Sequence, residues 1–326
     1  MAKFLIIRFS SIGDIVLTTP VMRCIKKQLQ AEVHFVTKVA YKSLVEHNTY
    51  IDKVYYLDDS INKTLTQLKA ENYDYVIDLH HNLRTWWMKL QLPGKHFSFD
   101  KLNYEKWLLV NFKINKMPNL HIVDRYLNTV KTLGIKNDNE GLDYFLPPAL
   151  SNADSLTQIP YQSFKYIAVA IGAQHQTKRL PVAKLISICN KLPLPVVLLG
   201  SEADNAQAEI IAHEVPQCLN ACGKLSLHQS AWAVKHAAFV LTHDTGLMHI
   251  AAAFNKRIIS VWGSTVPAFG MTPYLGYNRM QGSAYIAEVA HLNCRPCSKI
   301  GYEKCPKKHF NCMQQIDESA VIAAFR

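Results

Sequence analysis

The chain has 326 residues, 49% hydrophobic and 19% charged, with 13 Gly and 14 Pro. That composition excludes a disordered chain and a collagen-like fibre, and the length suits two domains with a sizeable buried core. A net charge of +11 directs attention to acidic partners: nucleic acid, an anionic membrane surface, or a phosphorylated or carboxylated substrate.

The apolar run Phe4–Ile7 stops at Arg8, too soon for a signal-peptide core. No stretch approaches the roughly 18–20 apolar residues of a membrane span. The expectation is a cytoplasmic protein whose eight cysteines are mainly thiols. In chain order, strands are predicted at Phe4–Arg8, Val33–Thr37, Val54–Leu57 and Tyr75–Leu79, with helices at Thr19–Leu29, Ile61–Ala70 and Val123–Leu133. The second half repeats the theme, with strands at Tyr166–Ile171, Val196–Leu199, Phe239–Thr242 and Ile258–Val261. Helices there are expected over Pro181–Lys191, Asp204–Glu214, Ser226–His236 and Gly246–Phe254, and a closing one over Asp317–Phe325.

Such alternation is the signature of an α/β protein with parallel sheets covered by helices on both faces. Between the halves, Asp143–Pro160 contains Pro147, Pro148, Ser151, Asn152 and Pro160 and reads as a linker. Two doubly wound Rossmann-like domains follow, 1–155 and 156–326, facing an interdomain cleft lined by the carboxyl ends of their strands.

After the first strand runs Arg8-Phe9-Ser10-Ser11-Ile12-Gly13-Asp14-Ile15. Asp14 falls near the start of the next helix. It is either a plain helix cap, with Ser10 and Ser11 as turn residues, or a carboxylate offered at the sheet edge. One glycine is too few for a dinucleotide fingerprint, and the Gly-Lys-Ser/Thr ending of a Walker A loop is absent.

In the second half, Gly172-Ala173 follows a strand, and Lys178-Arg179-Leu180-Pro181 leads into a helix. Small residues admit a ligand to the backbone, and the two cations suit phosphate. Gly200-Ser201-Glu202-Ala203-Asp204 ends another strand, its acids placed either for ribose hydroxyls or for capping. In Thr242-His243-Asp244-Thr245-Gly246-Leu247-Met248-His249 a helix begins at Asp-Thr-Gly, and its first N–H groups would form an anion site. His249 shares a helical face with Thr245, one turn deeper.

Together these segments resemble the lipopolysaccharide heptosyltransferases, glycosyltransferase family 9. The likeness rests on Ser10-Ser11-Ile12-Gly13-Asp14, on Gly172-Ala173 with Lys178-Arg179-Leu180-Pro181, and on Asp244-Thr245-Gly246-Leu247-Met248-His249, with Asp78-Leu79-His80 and Cys312-Met313 as weaker support. The resemblance implies a GT-B fold, acceptor on the first domain and ADP-heptose on the second. It implies inverting transfer to the lipid A–Kdo or inner-core acceptor, without a cofactor or an obligatory metal, at the inner face of the inner membrane. Asp14 matches the general base, with Ser10, Ser11 and Gly13 beside it on the acceptor side. Lys178 matches the lysine on the donor phosphates, and Asp244, Thr245, Gly246 and His249 the donor-binding turn. Gly172, Ala173, Glu202 and Asp204 complete the donor set. Ala173 and Gln174 stand where relatives often carry hydroxyl residues, and Leu180 where they often carry Trp.

Ten basic against three acidic residues between 79 and 136 then suit an anionic acceptor, with Arg84, Lys89 and Arg125 as its contacts. Trp86, Trp87 and Trp107 read first as core, and otherwise as packing on sugar or lipid headgroups. Cys294, Cys297, Cys305 and Cys312 admit three readings: free thiols in a packed loop (preferred), a structural zinc site, or redox chemistry. No metal is assigned. Cys24, Cys189, Cys218 and Cys222 read as buried small hydrophobes. Two alternatives remain at this stage. One is a GT-B transferase using another nucleotide sugar; the other is a basic nucleic-acid-binding protein, disfavoured because no aromatic-basic RNA motif is present.

Overall fold

The computed structural model describes residues 1–57, 61–151, 156–277 and 282–325. Asn152 of the expected linker and the boundary drawn after residue 155 lie outside them. Two compact units are formed. The first comprises Met1–Lys101, Leu120–Phe145 and a short segment at Gly276; the second comprises Leu102–Asn119, Leu146–Leu275 and the rest of the chain. Leu102–Asn119 thus joins the second unit, tied there by Lys113 Nζ donating to Pro296 O at 2.7 Å.

Chain order in the first unit begins β1 (Lys3–Ile7), α1 (Ile12–Val16), α2 (Thr19–Leu29), β2 (Glu32–Lys38), β3 (Lys53–Leu57) and α3 (Ile61–Ala70). It continues with β4 (Tyr75–Asp78), α4 (Leu83–Lys89) and β5 (Lys95–Ser98). Then α5 (Asn103–Phe112) belongs to the second unit, and α6 (Ile122–Asn128) returns to the first. The sheet is parallel, ordered β3-β2-β1-β4-β5. The central strand β1 is apolar and buried from Phe4 to Ile7 because helices cover both faces. Strand order reverses between β1 and β4, so the loops leaving them diverge and open a crevice at their carboxyl ends. Pro20 opens α2, whose Val21, Met22, Cys24 and Ile25 are buried. The buried Arg23 on the same helix is neutralised by Asp138 (2.7 Å) and Asp143.

The second unit contains α7 (Pro148–Ser151), β6 (Ile167–Ala170), α8 (Val182–Cys189), β7 (Val196–Leu199), α9 (Asn205–Glu214), β8 (Cys218–Asn220) and α10 (Leu227–His236). After these come β9 (Phe239–His243), α11 (Gly246–Ala253), β10 (Arg257–Trp262), β11 (Ser283–Glu288), α12 (Asn311–Gln314) and α13 (Glu318–Ala323). Its parallel sheet runs β11-β10-β9-β6-β7-β8, with the reversal between β9 and β6. The core is built from Ile167, Val169, Leu198, Leu241 and Ile259 of the strands against Leu185, Ile188 and Ile211 of the helices.

Several expectations are corrected. The helix predicted over Val123–Leu133 is α6 followed by a separate 3-10 turn at Lys131–Leu133, stopped by Gly134 at φ +81°. Trp86, Trp87 and Trp107 are exposed, and it is Trp232 and Trp262 that are buried. Among the described residues no helix is long and apolar enough to cross a membrane.

Candidate active site

In the first unit β1 delivers Arg8 to the reversal of the sheet. Its buried guanidinium makes four contacts. Nε donates to Ser10 O at 2.7 Å, Nη1 donates to Leu79 O and to Tyr126 Oη at 3.0 Å, and Nη2 lies 2.7 Å from Asp14 Oδ1. Burial opposes the Arg8 charge, but Tyr126 and Asp14 outweigh it and raise its pKa. Asp14 is the third residue of α1 and Ser11 is the cap, so the reading of Asp14 as the cap is corrected. Its Oδ2 accepts Ser11 Oγ at 2.9 Å and Ser11 N at 3.3 Å. With 23% of its side chain exposed, the carboxylate is both oriented and reachable.

Around this pair, fully buried Asp78 accepts the N–H groups of His80 (3.0 Å) and His81 (2.7 Å). The turn lays the His80 ring 5.0 Å from that of Phe9. Desolvation, then Arg8 and Lys101, pull His80 down to about 4, which leaves it a neutral imidazole at neutral pH. Its Nδ1 is buried without a hydrogen-bond partner. Lys101 is itself lowered by desolvation and by Arg8.

The other residues expected on the acceptor side take differing positions. Ser10 serves through its carbonyl, Ser11 is exposed, and Gly13 is buried inside α1. Arg84 is exposed on α4. Arg125 is buried on α6, its pKa lowered by desolvation, and Lys89 is committed to Asp78 Oδ2 at 3.0 Å. Neither is a surface contact for an anion.

In the second unit the loop after β6 meets the loop after β9 at the reversal. Lys178 Nζ lies 2.6 Å from Asp244 Oδ2, which also accepts Thr265 Oγ1 at 2.9 Å. Thr245 caps α11 without a side-chain hydrogen bond to the first turn, and Thr245, Gly246 and Leu247 are partly exposed. An ammonium and a helix N-terminus therefore converge, an arrangement suited to a diphosphate. His249 is buried one turn in.

Gly172, Ala173 and Asp204 act within the protein. Asp204 is buried, with Oδ1 accepting Arg179 Nη1 at 2.6 Å and Oδ2 accepting Ser201 N (2.8 Å) and Oγ (2.7 Å). A Cβ on Gly172 would stand 2.5 Å from Asp204 Oδ2, so this glycine makes room for a carboxylate of the chain. Ala173 O accepts Arg179 Nε at 2.8 Å. These contacts fix the loop that carries Lys178, and of the two readings of Asp204 they match the capping one, its carboxylate accepting Ser201 N and Oγ. Glu202 stays exposed over Gly223, whose φ is +71°. Beside the loop opens a cavity of about 460 Å³ lined by Arg179, Leu180, Gln207, Glu303, Lys304 and Phe310.

The sequence assigns no role to Arg8, His80, Lys101, Tyr126 or His243, although Arg8, His80 and His243 lie within its motifs. The signal for Arg8 was a cation closing an otherwise apolar buried strand. His243 is fully desolvated and held down to about 4, and its Nε2 accepts the Leu180 N–H at 2.9 Å. It thereby pins the Lys178 loop to the end of β9.

None of the eight cysteines is joined in a disulfide; Cys24, Cys189 and Cys222 are buried and Cys218 partly so. Cys294 Sγ lies 3.8 Å from His309 Nε2, and Cys297 donates to Cys294 O at 2.9 Å. Among the described residues, the late cysteines are not one of the groups whose ligating atoms all lie within 4.8 Å of one another. Burial raises Cys297 to about 11 and Cys312 to about 12.

Residues 61–304 match the model of glycosyltransferase family 9 (heptosyltransferase), three quarters of the chain. The chain is 26% identical over 292 residues to lipopolysaccharide heptosyltransferase 1 of Campylobacter coli, covering 81% of this chain and 84% of that protein. In structure it is similar to a family 9 glycosyl transferase from Veillonella parvula, with TM-score 0.77, 20% identity, and 99% and 96% of the two chains covered. It is also similar to the E. coli heptosyltransferase WaaC solved with ADP, at TM-score 0.67 and 20% identity, with 87% and 93% covered. The two reversing parallel sheets are thus those of the GT-B fold, and the chain belongs to glycosyltransferase family 9, the heptosyltransferases.

Proposed function

We propose that this glycosyltransferase moves heptose from ADP-heptose to the inner core of lipopolysaccharide, with inversion and without an obligatory metal. The first unit takes the acceptor and the second takes the donor. The acceptor hydroxyl oxygen attacks the anomeric carbon, the bond from that carbon to the diphosphate oxygen breaks, and ADP departs with the bonding electrons. Asp14 receives the hydroxyl proton, oriented by Arg8 and Ser11. Lys178 and the first N–H groups of α11 take up the charge on the leaving diphosphate. Glu202 faces the ribose, and Ser10, Ser11, Gly13 and Arg84 belong to the acceptor side. An acceptor of this kind is lipid-linked, so the enzyme works as a cytoplasmic protein at the inner face of the membrane.

The observation that carries this reading is the Lys178–Asp244 pair at 2.6 Å beside the start of α11, in a chain of this family. Similarity to WaaC solved with ADP and to WaaC solved with ADP-2-deoxy-2-fluoro heptose supports the donor. Calorimetric titration with ADP, ADP-heptose, UDP and NAD in EDTA tests it: the adenine diphosphate sugar binds best and needs no metal. Preference for UDP would discard the heptose. Asp14→Asn lowers turnover by about 10²–10⁴-fold and leaves donor affinity nearly intact; unchanged turnover would remove Asp14 as the base.

A further inference from the structure

Helix α4 is amphipathic in the inverse sense. Its apolar residues at positions i, i+3, i+4 and i+7 face outward: Leu83 is 85% exposed, Trp86 55%, Trp87 39%, and Leu90, at its C-cap, 65%. The opposite face, Thr85, Met88 and Lys89, is buried. That inner face is well anchored. Asn82 caps the helix by accepting Thr85 N at 2.9 Å, and Lys89 Nζ reaches Asp78 at 3.0 Å. The exposed stripe is therefore a rigid feature. Four large apolar side chains side by side on one helix are far from the scattered exposure normal for a soluble surface.

The surface charge along this segment has one sign. No Asp or Glu occurs from Leu79 to Phe99, and the stretch exposes Arg84 and Lys95, while Lys89 is spent on Asp78 inside. Arg84 is exposed on the helix itself, and Lys69 Nζ donates to Gln91 Oε1 at 3.1 Å just past its end. Paired tryptophans flanked by leucines and rimmed by cations match an interfacial helix, whose apolar side enters the headgroup boundary while the cations meet lipid phosphates. A second copy of the chain is the poorer fit, because two such faces would bring like charges together.

We propose that α4 docks on an anionic lipid bilayer through Leu83, Trp86, Trp87 and Leu90. The chain leaves β4 at the sheet reversal and turns at His80–His81 directly into α4, so the same segment that carries His80 begins the docking helix. Docking there holds the acceptor-side loop at the height of a lipid-linked acceptor. The inference rests on the reading of that acceptor as lipid-linked, and its test separates the two.

The full-length protein is mixed with phosphatidylcholine vesicles, with and without phosphatidylglycerol, some containing brominated acyl chains. Trp107→Phe is used throughout, leaving Trp86 and Trp87 as the exposed tryptophans, since Trp232 and Trp262 are buried. Expected are sedimentation with the phosphatidylglycerol vesicles and quenching of tryptophan emission by bromine. Leu83→Ser with Leu90→Ser weakens partitioning by roughly tenfold or more. The same double variant keeps its turnover on a water-soluble, deacylated acceptor. Absence of quenching, or partitioning unchanged in the double variant, overturns the docking role of α4. So does a concentration-dependent dimer that the double variant dissolves. Loss of transfer by the parent enzyme on both acceptor forms overturns the proposed function instead.

Discussion

Nη2 of Arg8 lies 2.7 Å from Oδ1 of Asp14, and the same guanidinium reaches the carbonyls of Ser10 and Leu79 and the hydroxyl of Tyr126. One buried cation thus joins the ends of β1 and β4 to α6 and presents the carboxylate at the edge of the crevice. A lysine keeps the charge but lacks the planar fork that makes several bonds at once. Arg8→Lys is expected to lower turnover by about tenfold or more while ADP affinity stays level, a split read by steady-state kinetics beside calorimetry. Arg8→Met strands the Leu79 carbonyl and the Tyr126 hydroxyl, and urea unfolding should report a loss of about 2–4 kcal/mol. Equal turnover in Arg8→Lys would show that Asp14 is oriented without the fork.

Lys178 and Asp244 form the corresponding pair of the second unit, both largely shielded from solvent. Lys178→Ala removes the ammonium and leaves the helix start, so ADP binding weakens by roughly tenfold or more. Asp244→Asn has a milder effect, because the amide still accepts from Thr265 but no longer holds the ammonium in place. Calorimetry on both variants checks the order, and an Asp244→Asn loss larger than that of Lys178→Ala would reverse the roles.

Much of this architecture is legible in the sequence. The bounds of α2, α3 and β7 match the pattern reading residue for residue, because central parallel strands and amphipathic helices carry strong apolar periodicity. The strands that escaped, β5, β8 and β11, are all edge strands. They pair on one side only, and β5 and β11 are mostly exposed, so they lack the buried run that marks an inner strand. At α4 the pattern misleads about burial instead: its apolar stripe faces outward, while apolar periodicity is ordinarily evidence of core. The candidate residues that the pattern reaches stand in the segments that follow strands β1, β6 and β9, as with Asp14, Lys178 and Asp244. A role that depends on partners distant in sequence was not legible. Gly172 gives space to Asp204, and Arg8 meets Tyr126, only once the sheets are folded.

His243 is such a case, and it titrates. Nε2 must be unprotonated to accept the Leu180 N–H, and burial, then Arg179, hold the native ring near a pKa of about 4 against 6.5 for an ordinary histidine. Between those values the unfolded chain binds a proton that the native state does not. Stability therefore falls as pH drops through that window, and His80, also about 4, adds in the same sense. In His243→Gln the amide oxygen replaces Nε2 as acceptor without titrating. Chemical unfolding followed from neutral pH to about 4 should show a shallower loss in His243→Gln than in the parent. At neutral pH, His243→Leu loses about 1–3 kcal/mol and weakens ADP binding, while Gln retains most of both. Equal ADP affinity across all three would mean that the Leu180 contact does not set the Lys178 loop.

Lys256 titrates at the other end of the pH range. Its Nζ is buried, donates to Lys235 O at 2.9 Å near the end of α10, and stands 4.6 Å from the centre of the Phe164 ring. Carbonyl and ring favour the ammonium, yet desolvation prevails and brings the group down to about 8 from 10.5. Between these values the native lysine has released its proton and the unfolded one has not, so the unfolded state binds more protons and stability rises with pH across the window. Lys256→Met fills the same apolar space without a charge. The parent should gain up to about 3 kcal/mol relative to Lys256→Met on going from pH 8 to 10.5, read as the difference between two urea series. Parallel series would show that the native lysine keeps its proton through the window, with the Lys235 carbonyl and the Phe164 ring offsetting the whole desolvation.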